Sequence, residues 1–138
     1  MVHRAWHAIS VRQHLTVRKT GEDVTAVYGF ANIFLKAIRD WTPTHCLITF
    51  DLPAPTFRHR IFDQYKAQRP ETPQELRDQF QRVKQMMKAF KVPIVEFEGY
   101  EADDVIARIC KQINQPDIAT IISGDHDLYQ LIKNKIKK

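Results

Sequence analysis

The amino-acid sequence predicts an α/β fold built on a mainly parallel sheet, and two observations lead there. Short β-branched runs alternate with stretches whose apolar residues recur at helical spacing, the order in which helical crossovers feed parallel strands. Acidic residues stand where those strands end or the next helices begin, as expected when the carboxyl ends of parallel strands open on one crevice. A chain of 138 residues is long enough for one core and reads as a single domain.

The elements follow in order. From Asp23 to Arg39, the residues Val24, Val27, Tyr28, Ala31, Phe34, Leu35 and Ile38 predict a buried helix that Trp41-Thr42-Pro43 ends. His45 to Phe50 reads as a strand closed by Asp51-Leu52-Pro53. Proline at 53 and 55 breaks regular structure before a basic segment at about 54–91. Within that segment Leu76, Phe80, Val83, Met86, Met87 and Phe90 predict a helix over 74–90 with Thr72-Pro73 at its start. Val92 to Phe97 is a second strand, stopped by Glu98-Gly99. A helix over 101–113 places Ala102, Val105, Ile106, Ile109 and Ile113 inward and ends at Asn114-Gln115-Pro116. Ile118 to Ile122 is the third strand, and Ser123-Gly124 turns the chain into Asp125, Asp127 and a last helix. The lysine-rich end, 133–138, is expected to fray.

Composition narrows the class. A hydrophobic content of 43% suits a soluble globular protein, and no apolar run is long enough for a membrane span. The first residues carry His3, Arg4, His7, Arg12, His14, Arg18 and Lys19 rather than an apolar stretch, so no secretory signal is indicated and a cytoplasmic location is expected. Cys46 and Cys110 lack metal or redox spacing and read as reduced core residues. The basic segment holds nine lysines and arginines against four acids and so carries the whole net charge of +5. Such a stretch facing an acidic crevice suggests a polyanionic substrate, although a solvated helix face gives the same count.

The chemistry-bearing residues are Asp51 after the first strand, the cluster Glu101, Asp103 and Asp104, and the pair Asp125 and Asp127 after the third strand. Helix capping explains either cluster taken alone. Together, three acid-bearing junctions would crowd six carboxylates into one crevice, where like charges raise one another's pKa unless a cation holds them. The donors are all oxygens, so one or two Mg²⁺ or Mn²⁺ ions fit better than Zn²⁺. His3 and His7 stand four apart but lack the glutamate of a zinc-protease helix, and packing with Trp6 is the expected role. Asp125-x-Asp127 also has the form of an aspartyl phosphohydrolase nucleophile, but too little chain follows it.

A more specific likeness runs through the chain. The segments Ala26-Val27-Tyr28-Gly29-Phe30, Phe57-Arg58-His59, Tyr65-Lys66-Ala67-Gln68-Arg69, Thr72-Pro73-Gln74-Glu75-Leu76-Arg77, Gly99-Tyr100-Glu101-Ala102-Asp103-Asp104 and Ser123-Gly124-Asp125-His126-Asp127-Leu128 resemble, in order, the motifs of the 5′-3′ exonuclease domain of bacterial DNA polymerase I, in the flap-endonuclease superfamily. The resemblance implies a PIN-like three-layer fold and a metal-dependent 5′-3′ exonuclease or flap endonuclease that hydrolyses phosphodiester bonds at the 5′ end of DNA. It implies that Asp51, Glu101, Asp103, Asp104, Asp125 and Asp127 surround two Mg²⁺ or Mn²⁺ ions. Lys66 and Arg69 match the basic pair of a helical arch that grips the scissile phosphate, Tyr65 an aromatic that stacks on an unpaired base, and Arg58 a phosphate contact. DNA with a 5′ flap or frayed 5′ end is the implied partner, with a polymerase or further nuclease segments alongside. The family's first strand should precede His3, and its duplex-binding module should follow the helix after Asp127. The expectation is therefore a truncated domain of marginal stability. A non-catalytic DNA-binding remnant and a PIN-type ribonuclease are the alternatives.

Overall fold

A computed structural model describes residues 1–10, 14–68, 70–132 and 136–137. They fall into two compact units, Met1–Cys46 with Glu71–Pro93, and Leu47–Pro70 with Ile94–Lys138. The basic segment at 54–91 is divided between them.

The first unit is helical. Helices α1 (Val2–Ser10), α2 (Thr25–Trp41) and, from the basic segment, α4 (Gln74–Ala89) bury Val2, Ala5, Ala26, Phe30, Leu76, Val83 and Met87. Helix α1 and α2 meet closely at Gly29, where an added Cβ would lie 2.8 Å from Ile9 Cδ1 and 3.0 Å from Ala5 Cβ. Asp23 sets the start of α2 by accepting the Thr25 amide at 2.8 Å. Thr42 ends it in the left-handed region at φ 41°, its amide bonded to the Ile38 carbonyl. The predicted apolar face of α2 is only partly covered, since Tyr28 and Leu35 are exposed; their positions lie away from the side that Ala26, Gly29 and Phe30 bury. Trp6 packs edge-on against His7, as expected, and against His14, while the His3 ring meets His7 and Phe80.

Gln79 on α4 belongs to this core although no sequence pattern marks it. Its side chain is 2% exposed, and its Oε1 accepts the amides of Ala26 at 2.5 Å and Val27 at 3.4 Å. These are orphan donors in the first turn of α2, so a polar residue in an apolar stripe serves as a helix cap.

The second unit carries the parallel strands. Strand β1 (Ile48–Thr49) pairs with β2 (Ile94–Val95) in the register Ile48 with Ile94 and Thr49 with Val95. Strand β3 (Ala119–Thr120) pairs in parallel with β4 (Ile136–Lys137). Each strand is two residues long, shorter than the sequence pattern suggests, because the chain leaves the ladder to build loops and caps. Asp51 accepts the amide of Ala102, and Gly99 turns at φ 81°. Helix α3 (Phe57–Ile61) follows β1, helix α5 (Ala102–Gln112) follows β2, and a 3₁₀ helix spans His126–Leu131.

Cys110, Ile121 and Leu128 form the core of this unit, with Ile106, Ala119, Leu131 and Ile136 packed against them. Ile136 corrects the expectation of a frayed end. Its apolar side chain joins the core, and Ile121 donates its amide to the Lys137 carbonyl at 2.7 Å; the rest of that tail lies outside the described residues. Cys46 also departs from its expected place in a core. It is exposed, ahead of the short β1, whereas Cys110 is buried, and both thiols are free. No described helix is long and apolar enough to cross a membrane.

Candidate active site

The second unit contains every predicted site residue that the structure describes. Asp51 lies just beyond β1, and its Oδ1 accepts the amide of Ala102, the first residue of α5, at 2.7 Å. Glu101 is the N-cap of α5, while Asp103 and Asp104 stand in its first turn. Asp125 is the N-cap of the 3₁₀ helix and accepts the Asp127 amide at 3.0 Å. The turn residues and helix starts anticipated from sequence are therefore also the means by which these acids are placed.

Asp103 reports their convergence. Its carboxyl is pushed above the usual range, first by burial and then by the negative charges of Asp125, Asp51 and Glu101, against an opposing pull from Lys66. Acids as far apart in sequence as Asp51 and Asp125 thus act on one side chain. A cavity of about 160 Å³ in the same unit is lined by Arg58, Tyr65, Glu101, Asp103, Asp104 and Asp127, among others.

The basic groups meet the acids directly. Arg58 Nη1 and Nη2 donate to the two oxygens of Asp104 at 2.6 and 2.7 Å, and Nη1 lies 3.6 Å from Glu101 Oε2. The bidentate pair holds the Asp104 carboxyl below its usual range against the opposing effect of burial, and it raises the Arg58 guanidinium further. Lys66 adopts φ 58° and places Nζ 2.8 Å from Glu101 Oε1. Burial pulls its ammonium down, but the hydrogen bond and charge of Glu101 outweigh that and hold it above its ordinary value. Tyr65 donates its hydroxyl to Glu101 Oε2 at 3.2 Å, and the His59 ring meets the Tyr65 ring edge-on. Arg69 lies outside the described residues.

These contacts bear on whether a metal ion fits. Among the described residues, no three acidic, histidine or cysteine side chains gather closely enough to hold one. Glu101 is turned to Lys66 and Tyr65, Asp104 to Arg58, and Asp51 to the Ala102 amide. The oxygen-only donor set and the burial and negative charge felt by Asp103, only partly offset by Lys66, nevertheless suit a hard divalent cation. The donor types suit such an ion, while the side chains as placed do not gather around one, Glu101 being held by Lys66 and Tyr65 and Asp104 by Arg58.

An α/β domain with parallel strands, in which a crowded set of carboxylates meets arginine and lysine from the basic segment, has the architecture of a PIN-like domain. Residues 1–138 match the family model of the 5′-3′ exonuclease, N-terminal resolvase-like domain, and the chain belongs to that family. It is 39% identical over 138 residues to DNA polymerase I of Chloroflexus aurantiacus, covering 95% of this chain and 14% of the polymerase. It is 37% identical over 117 residues to a 5′-3′ exonuclease of Aquifex aeolicus, covering 84% of this chain and 40% of that protein. The chain thus spans well under half of either relative. The T5 D15 protein, in a crystal structure obtained with metal ions, shares the fold with a TM-score of 0.63 at 23% identity, over 79% of this chain and 44% of its own.

Proposed function

We propose that this chain is the acid-bearing part of a divalent-metal-dependent 5′-3′ exonuclease or flap endonuclease, which hydrolyses phosphodiester bonds at the 5′ end of DNA. The supporting observation is the cavity that Glu101, Asp103, Asp104 and Asp127 line together with Arg58 and Tyr65, since carboxylates crowded in a crevice are stabilised by cations. Family membership and the metal-bearing T5 neighbour point the same way.

In this reading Asp51, Glu101, Asp103, Asp125 and Asp127, five of the six acids expected around the ions, would hold Mg²⁺ or Mn²⁺, the sixth, Asp104, being engaged at both oxygens by Arg58. When bound, the ions lower the pKa of the attacking water and stabilise the departing oxygen. Lys66, with Arg69, offsets charge on the phosphoryl oxygens, the electrostatic contribution that commonly dominates phosphoryl transfer. A backbone phosphate competes with Glu101 for Lys66, so substrate entry exchanges one anion for another at the same ammonium. Tyr65 offers its ring to an unpaired base, a contact worth about 1–3 kcal/mol and indifferent to sequence. Arg58 contributes positive charge at the edge of the cavity. The substrate is DNA with a 5′ flap or frayed 5′ end, and a polymerase or further nuclease segments complete the enzyme.

The test is incubation with 5′-labelled flap DNA in Mg²⁺ or Mn²⁺. Product should disappear in EDTA and in Asp125→Asn. Lys66→Ala should lower turnover by about 10²-fold or more with a much smaller change in DNA binding. Equal losses in binding and turnover would remove Lys66 from its assigned role, and undiminished product from Asp125→Asn would overturn the reading. The engagement of Glu101 and Asp104 by Lys66 and Arg58 favours one rival, a DNA-binding module without cleavage, which would bind the flap and yield no product.

A further inference from the structure

The two adjacent aspartates of α5 are treated differently by their surroundings. Asp104 Oδ2 accepts from Arg58 Nη1 at 2.6 Å and from the Glu101 amide at 3.0 Å, while Oδ1 accepts from Arg58 Nη2 at 2.7 Å. A carboxylate has about four lone-pair sites, and three are filled in the fork geometry that guanidinium and carboxylate share. A cation bound there would have to displace a hydrogen-bonded arginine. Asp103, one residue earlier and therefore about 100° around the helix, stands outside this fork and lines the cavity together with Asp127.

Arg58 is fixed on a second side, since its guanidinium lies 4.5 Å from the centroid of the Phe57 ring. Both residues belong to α3, a helix of five residues that is too short to persist without outside contacts. The Phe57 amide donates to the Gly99 carbonyl at 2.8 Å, and the Arg58 fork supplies the matching side-chain tie. Together they dock the start of the irregular segment carrying Tyr65 and Lys66 against the acidic end of α5.

We propose that Asp104 is the positioning residue for Arg58, and through it for the base of the arch segment, rather than an ion ligand. The assignment rests in part on the nuclease reading above, because it separates from the acids of that site the one carboxylate held at both oxygens by Arg58. Asp104→Asn is the informative substitution. It keeps an acceptor for the Glu101 amide and replaces one arm of the fork with an NH₂ that cannot receive the guanidinium.

Two measurements on the full chain decide the matter. In calorimetric Mn²⁺ titrations, Asp103→Asn and Asp125→Asn should weaken binding by about 10-fold or more, in keeping with loss of a metal-supporting group. Asp104→Asn should remain within about 3-fold of wild type, a change well below that of a lost ligand. In limited trypsin digestion without metal, cleavage after Arg60 and Lys66 should accelerate by about 10-fold in Asp104→Asn and in Arg58→Ala, the factor expected for a lost charge-assisted hydrogen bond. The double variant should go no faster, and the far-UV circular dichroism should be unchanged. Loss of Mn²⁺ binding in Asp104→Asn equal to that of Asp125→Asn overturns the assignment, as does multiplicative acceleration in the double variant or none in either single one. A wild-type chain that takes up no Mn²⁺ defeats the nuclease reading by itself, and the digestion then decides whether Asp104 holds Arg58.

Discussion

Asp51 should behave as two residues in one, a helix cap and a charge, and two substitutions separate these. Its Oδ1 lies 2.7 Å from the Ala102 amide, one of the donors at the start of α5 that have no partner within the helix. Asparagine retains that acceptor and alanine removes it. Loss of such a cap costs about 0.5–2 kcal/mol, and the solvent-exposed setting of this bond suggests about 1 kcal/mol. Both substitutions also remove one of the charges that press on Asp103, a gain that cancels when the two are compared. Unfolding entropy of about 2 cal/mol/K per residue converts the remaining 1 kcal/mol into about 3 °C for a chain of this size. Thermal unfolding in EDTA, followed by far-UV circular dichroism, should therefore place Asp51→Ala about 3 °C below Asp51→Asn. Mn²⁺ titration should show equally weakened uptake in both. Coincident melting curves would refute the cap, and wild-type Mn²⁺ uptake in Asp51→Asn would leave Asp51 a cap alone.

Two further outcomes follow from the same balance of burial, charge and hydrogen bonding. The Asp103 carboxyl is raised in the folded chain, so its contribution to stability is full below the ordinary carboxyl value of about 3.9 and is lost as pH rises from there through the raised folded value. Without divalent ions, the wild-type melting temperature should fall relative to that of Asp103→Asn as pH is raised from 4 to 7; parallel curves would show that the acids do not press on Asp103. In the helical unit, Gln79→Ala strips the acceptor from the buried Ala26 amide, and an orphaned buried donor plus the space left behind should cost about 2–3 kcal/mol. Urea unfolding measures that loss, and a cost under about 0.5 kcal/mol, the level of an ordinary surface substitution, would mean that Gln79 does not cap α2.

The sequence made the helices legible to the extent that their signals were local. Helices α4 and α5 form within a residue or two of where the apolar period and the flanking Pro73, Glu101 and Pro116 place them. The strands were located by their β-branched runs, but their ends were not, since pairing depends on partners elsewhere in the chain. Ile136 pairs with Ala119 and packs beside Cys110, and a lysine-rich context hid that single apolar residue. Gln79 was missed for a similar reason, because the donors it satisfies are 52 and 53 residues away. The acids themselves stood out in the sequence, whereas their partners did not.

Asp103 and Asp104 show why that distinction matters for reading a motif. They are the same residue type, adjacent in one helical turn, and local rules give them the same favourable place near a helix N-terminus. The folded chain moves their carboxyls in opposite directions, Asp103 upward through burial and neighbouring acids, Asp104 downward through Arg58. The difference comes from a guanidinium 46 residues earlier in the chain and from the roughly 100° that separates successive side chains on a helix. A pair of aspartates in such a motif therefore does not imply a pair of ligands. On the proposed assignment one is left among like charges that a cation would relieve, while the other is occupied at both oxygens by Arg58.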